Sequence, residues 1–279
     1  MYYIHKQAKF RIKKVVYNMD ISNFFDKNEK PLDNLLDGAG FCGIFRTIGV
    51  VGDSLSSGEF EVLSEEGVKA YHDFYEYSWG QYMARTIGCK VYNFSRGGMT
   101  AKEFCESFGT KCGAWNYENI CQCYIMALGV NDKNIGEMGD ADSIGFPAGY
   151  SGKTDFAGYY GQIICRLKAK APDAKFFLIA PPRENGDEKF EQWKADETKL
   201  LYDIAEKFKN TYVIDLNKYG PVYDEEFKKQ FYLLGHLNPA GYILTAKMVI
   251  SYMDYIIRHN MADFKQAALI GTPYKSVKE

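Results

Sequence analysis

Five short runs constrain the fold more than any other feature of this chain: FRTIGVV (45–51), CKVYNF (89–94), CQCYIMALGV (121–130), KFFLIA (175–180) and TYVIDL (211–216). Each is apolar nearly throughout, not at every second position. Strands of that kind are covered on both faces, as in a parallel sheet between helices. Helical patterns separate them. YSWGQYMARTIG (77–88) ends on Gly88, and Thr100 with Glu103 forms a capping-box pattern ahead of the next helix. Segments 154–171 and 188–209 follow, and 238–260 opens with Asn238 as N-cap and Pro239 at the first helical position.

This alternation implies an α/β fold with helices on both faces of a parallel sheet. No repeat, low-complexity segment or linker interrupts it, so one domain is expected over residues 45–260. Residues 1–44 precede the first core strand and are expected to add an edge strand or a lid. Residues 261–279 read as a C-terminal tail. The glycine-rich stretch 132–153 is a loop of a length that often carries function.

With 279 residues, 46% of them hydrophobic, the chain can bury a sizeable core. A formal charge of -2 argues against nucleic acid or an anionic membrane surface as the main partner. No apolar run reaches the roughly 18 residues a membrane span requires. MYYIHKQAKFRIKK has no apolar signal-peptide core, so a cytoplasmic chain is expected unless a leader has been removed. Cysteines 42, 89, 105, 112, 121, 123 and 165 are odd in number and are expected to be reduced. CQC (121–123) puts two thiols on one strand face, with no nearby His or second Cys pair to complete a zinc site. No metal or cofactor is expected, and no feature assigns an oligomeric state.

Ligands of open parallel sheets bind beyond the carboxyl ends of the strands. Ser54 follows the first strand, Gly97 and Gly98 the second, Asn131 the third, and His236 comes after the fifth, just before a helix. That set meets the needs of acyl transfer. Ser54 can be the nucleophile and His236 its base. The backbone N–H groups of Ser54 and Gly98 and the Asn131 amide can form an oxyanion hole. Glycine at 98 would let a donor approach the substrate closely. The helix starting at Asn238 turns its positive end toward His236, which disfavours imidazolium.

Each residue also has a plainer reading. Ser54 alone could be a turn serine and His236 a structural histidine. Asn131 and Asp132 could cap a turn, with Asp132 a structural tie. Asn93 is expected to brace the second loop, and Arg96 could contact a substrate. His5, His72 and His259 read as surface or packing. Phe60, Tyr71, Phe74, Tyr75 and Tyr77 could line an acyl or sugar site, but core packing is the better reading.

GDSLSSG (52–58), NFSRGG (93–98), GVND (129–132) and GHLNPAGY (235–242) resemble, in order and spacing, the four blocks of the SGNH/GDSL hydrolases. The resemblance covers roughly residues 45–258. It implies a flavodoxin-like α/β/α sandwich with five parallel strands in the order 2-1-3-4-5, and ester hydrolysis. It carries over Ser54 as nucleophile, Gly98 and Asn131 as oxyanion donors, and His236 as base. GDSLS is not the G-x-S-x-G elbow, because position 56 is Ser56.

The chain departs from the family at one place. The family's Asp three residues before the histidine is here Leu233. The Leu233 main-chain carbonyl is the preferred substitute for orienting His236. Asp224, Glu225 and Glu226 are others, and a weakened or inactive enzyme is a third option. The expected function is a serine ester hydrolase of the carboxylesterase or acetylesterase type, acting on small acyl esters of carbohydrates, since no long apolar segment suggests an acyl tunnel. The alternatives are a lipase, lysophospholipase or thioesterase, and a non-catalytic binding protein on the same fold.

Overall fold

The computed structural model describes residue 26, residues 28–145 and residues 154–276. The strands are β1 (Thr47–Gly52), β2 (Glu59–Leu63), β3 (Lys69–Asp73), β4 (Lys90–Ser95), β5 (Cys123–Ala127), β6 (Lys175–Ala180), β7 (Thr211–Asp215), β8 (Tyr232–Leu233) and β9 (His236–Leu237). The helices are α1 (Ser54–Ser57), α2 (Trp79–Ile87), α3 (Ala101–Glu103), α4 (Gly109–Lys111), α5 (Phe156–Lys170), α6 (Glu188–Lys207), α7 (Leu216–Tyr219), α8 (Glu225–Phe231) and α9 (Pro239–His259).

Five strands form one parallel sheet in the order β4-β1-β5-β6-β7. Counting these core strands alone, this is the expected 2-1-3-4-5. All six residues of β6 are buried, which is why its run is apolar without alternation. The sheet lies between helices, with α2 packed on α9 and α3 on α5. Asn238 caps α9 by accepting from Gly241 N at 2.9 Å, and Pro239 takes the first helical position.

Other parts differ from the sequence reading. Thr100 caps α3 through Glu103 N, but the Glu103 carboxylate turns to Arg96, so the reciprocal half of the capping box is not made. A π-turn over Phe104–Phe108 joins α3 to α4. The described part of the N-terminal segment adds no strand to the sheet. Its 3-10 turn at Gly40–Ile44 packs on α9, where Cys42 Sγ donates to Ile250 O at 3.4 Å. The described part of the C-terminal tail packs back on the domain. Phe264 stacks on Tyr212 and Phe177, and the Ala267 carbonyl accepts from Gln122. Burying a side chain the size of Phe is worth on the order of 2–3 kcal/mol, enough to pin such a segment.

The stretch 132–153 holds two 3-10 turns, Asp132–Asn134 and Ala141–Ser143, and residues 146–153 fall outside the described residues. All seven cysteines are described as free thiols, five of them buried. Burial pushes the Cys105 and Cys121 thiols up to about 12, so neither is a ready nucleophile. Among the described residues no helix is long and apolar enough to cross a membrane. Two small antiparallel hairpins, β2–β3 and β8–β9, lie outside the main sheet, and both reach the site.

Candidate active site

Where β1 ends, its chain turns at once into the single-turn helix α1. The Asp53 carboxylate caps that turn by accepting from Leu55 N at 3.1 Å, which puts Ser54 at its first position. Gly58, in the left-handed region at φ 86°, stops the helix after four residues. Gly52 is required for space: a Cβ there would lie 2.3 Å from Ser56 Oγ and 2.6 Å from its Cβ. The three serines of the turn then separate. Ser56 and Ser57 are each 1% exposed. Ser57 Oγ donates to Asp73 at 2.5 Å. Only Ser54 of the three is part-exposed, and it opens onto a cavity of about 330 Å³.

Asn131 and His236 line the same cavity, so residues that follow three different sheet strands meet there. Asn131 donates its side-chain amide to Met99 O at 3.1 Å, tying the third loop to the second. An amide nitrogen carries two hydrogens, so this leaves one for a ligand. Asp132 is the structural tie expected of it, accepting from Ala101 N at 3.0 and 3.2 Å. Burial pushes its carboxyl up to about 7, and that of Asp53 likewise. Behind them the fully buried Glu197 is raised further, by burial and then by the charges of Asp132 and Asp53.

Gly98 is not among the residues lining the cavity. It takes φ 68°, and a Cβ on it would meet nothing within 4 Å. Glycine suits that backbone conformation, and the open space beside it is compatible with the close approach expected of a donor. The N–H groups of Gly98 and Ser54 have no backbone partner among the described residues. Gly97 makes a close approach of its own within the protein: a Cβ there would lie 2.0 Å from Glu59 Oε2. Arg96 pairs with Glu103 at 2.5 Å, lies over the Phe108 ring and is not among the residues lining the cavity. Asn93 stands inside β4 with its side-chain oxygen unbonded, so it does not brace the loop as expected. Tyr71, Phe74 and Tyr77 are exposed, whereas Phe60 is core.

His236 opens β9, across the β8–β9 hairpin from Leu233. The expected hydrogen bond from its ring to the Leu233 carbonyl is not formed: Nδ1 is buried and has no hydrogen-bond partner. The register explains this, because Leu233 pairs with His236 backbone to backbone, and Leu234 makes the turn at φ 56°. Asp224 does not substitute, since it caps α8 by accepting from Phe227 N. Glu225 and Glu226 are exposed on that helix.

Two carboxylates from β2 flank the imidazole instead. Glu59 Oε1 lies 3.2 Å from Nε2, and Glu61 Oε2 lies 3.6 Å from Nδ1. Glu61 also accepts from Gly235 N at 2.9 Å and is ion-paired with Lys69 of β3. Lys69 holds the Glu61 carboxyl below the usual carboxylate range. Burial raises that of Glu59, opposed by His236 and reinforced by Asp73 and Glu61. Neither glutamate was singled out from the sequence. The available signal was the alternation Glu59–Phe60–Glu61–Val62, which places both acids on one strand face.

Over residues 50–244 the sequence matches the sequence model of the GDSL-like lipase/acylhydrolase family. No curated protein matches it. Among solved structures it is similar in fold to a family two carbohydrate esterase from Clostridium thermocellum, seen in complex with cellohexaose. The TM-score is 0.54 at 14% identity, covering 78% of this chain and 65% of that one. It is likewise similar to a carbohydrate esterase family 2 enzyme with a carbohydrate binding domain from Corynascus thermopiles (Myceliophthora fergusii). There the TM-score is 0.54 at 13% identity, covering 76% of this chain and 67% of that one.

Proposed function

The chain belongs to the GDSL-like lipase/acylhydrolase family, and on that premise we propose that it is a serine ester hydrolase acting on small acyl esters of carbohydrates. The observation that carries the reading is the shared cavity of Ser54, Asn131 and His236. Ser54 Oγ attacks the ester carbonyl and His236 takes its proton, then returns it to the leaving alcohol. The N–H groups of Ser54 and Gly98 and the second hydrogen of the Asn131 amide receive the oxyanion. Ser54 has no hydrogen bond to His236, whose Nε2 faces Glu59. Catalytic bonds of this kind commonly tighten only around a substrate.

Two features favour a short acyl group on a polar alcohol. The cavity mixes Glu184, Lys228 and Asn131 with the aromatic rings of Phe190 and Tyr232, and so offers more polar contacts than an acyl chain needs. The fold is also shared with two esterases named for carbohydrate substrates. A series of p-nitrophenyl esters from two to twelve carbons, run beside an acetylated xylo-oligosaccharide, tests the reading. The expected rate is highest for acetate and falls as the chain lengthens, with acetate released from the oligosaccharide. A rate rising toward the longer esters would favour a lipase-type activity, and no turnover of any ester would favour a binding protein.

A further inference from the structure

The histidine assigned as base lacks the upstream acid of its motif, and the residue in that position, Leu233, is 44% exposed. We propose that Glu61, delivered by the β2–β3 hairpin, is the positioning acid of His236: it accepts the Nδ1–H and thereby fixes the tautomer whose Nε2 carries the lone pair that takes the Ser54 proton. This rests on the Ser54–His236 reading above.

Geometry carries the assignment. Glu61 Oε2 is 3.6 Å from a buried Nδ1 that has no hydrogen bond. The same oxygen accepts from Gly235 N, the residue adjoining His236, so acid and base are tied to one turn. Closing the remaining gap to about 2.9 Å needs only a small rotation of a ring with no competing bond at that nitrogen. The turn is shaped for the carboxylate, because a Cβ on Gly235 would lie 2.2 Å from Oε2.

Charge is consistent with the role. The Glu61 side chain is 4% exposed, and a carboxylate so buried needs a cation. Lys69 provides it on Oε1 and leaves Oε2 to the histidine turn. The other groups facing the ring are Glu59, on Nε2, and the edge of Tyr71, with centroids 5.8 Å apart. Neither is bonded to Nδ1.

The test is Glu61→Gln in the full chain. Glutamine keeps an oxygen for the Gly235 N–H, but it has no charge and can turn its amide hydrogens to Nδ1, selecting the opposite tautomer. The expected result is a kcat lower by about 10³–10⁴ with KM nearly unchanged. Nitrogen-15 NMR of the imidazole reads the role directly: His236 should carry its neutral-state proton on Nδ1 in the wild type and on Nε2 in the variant. An unchanged tautomer with kcat within threefold of wild type would overturn the proposal. Should Glu61→Gln fail to fold, Lys69→Met keeps the acid and removes its cation. Its rate should be lost first at the acid end of the pH profile, and a profile superposing on the wild type would overturn the proposal. The Ser54 reading fails separately, by Ser54→Ala retaining wild-type turnover, and the NMR result does not depend on that outcome.

Discussion

The turn that presents Ser54 and the turn that presents His236 reach the same cavity by different means. Most of what shapes the first lies within a few residues: Asp53 caps it, Gly52 makes room for Ser56, and Gly58 ends it, with Asp73 of β3 adding support through Ser57. The second is held from far away. Glu61, bonded to Gly235, stands 174 residues earlier in the chain, and Glu59 approaches the ring from the same strand. A locally built turn places one atom with confidence from neighbours in sequence, whereas a remotely held one depends on the hairpin that reaches it. The difference predicts that substitutions in the first turn act through fold and nucleophile together, and that substitutions in the second act on chemistry with little effect on stability.

The largest effect should come from removing the reacting pair. Ser54→Ala is expected to lower kcat by about 10⁶, and adding His236→Ala should cost almost nothing more, because groups that act as a unit are not additive. Steady-state rates on p-nitrophenyl acetate check this. Multiplicative losses would mean that the two turns work independently.

The two glycines separate the turns more finely. In Gly52→Ala the new Cβ meets Ser56 Cβ at 2.6 Å, which only a backbone shift relieves. A stability loss of about 1–3 kcal/mol is expected by denaturant titration. In Gly235→Ala the obstacle is Glu61 Oε2, the far end of a flexible side chain. That side chain can swing aside, so stability should change by less than about 1 kcal/mol while kcat falls at least tenfold as the carboxylate leaves His236. If Gly235→Ala destabilised as much as Gly52→Ala, the distinction between the turns would fail.

The contrast also explains how much could be read from the sequence. The sheet was legible because its five strands are buried on both faces, which leaves near-continuous apolar runs. Ser54 was picked out by the block GDSLSSG together with the three blocks that follow it, since alone it could be a turn serine. The partner of His236 was not, since a hairpin five residues long on each side is too short for its alternation to stand out, and nothing near Gly235 points back to Glu61. The partner of Arg96 was hidden for a related reason: a rim position says nothing of Glu103, seven residues on, which pairs with it. Gly98 was read from its block, and the positive φ it adopts shows only in the fold.

A pH-dependent effect is predicted at Asp132, which ties the loop after β5 to α3. Burial raises the Asp132 carboxyl from 3.8 to about 7 in the folded protein. Between those values the native state binds more protons than the unfolded chain, so stability falls as pH rises through that window. Asp132→Asn retains an acceptor for Ala101 N and loses the titration. Its Tm should decline less than that of the wild type between pH 4 and 7, by a few degrees. Parallel curves would place the burden on Asp53 and Glu197.

The central claim is that Ser54 carries the acyl group. Rapid acid quench of the protein with p-nitrophenyl acetate, followed by proteolysis and mass spectrometry, reads it directly. One acetyl group is predicted on the peptide holding residues 52–58, localised to Ser54 and absent from Ser54→Ala. Turnover without that adduct, or an acetyl group on Ser56 or Ser57, would contradict the account.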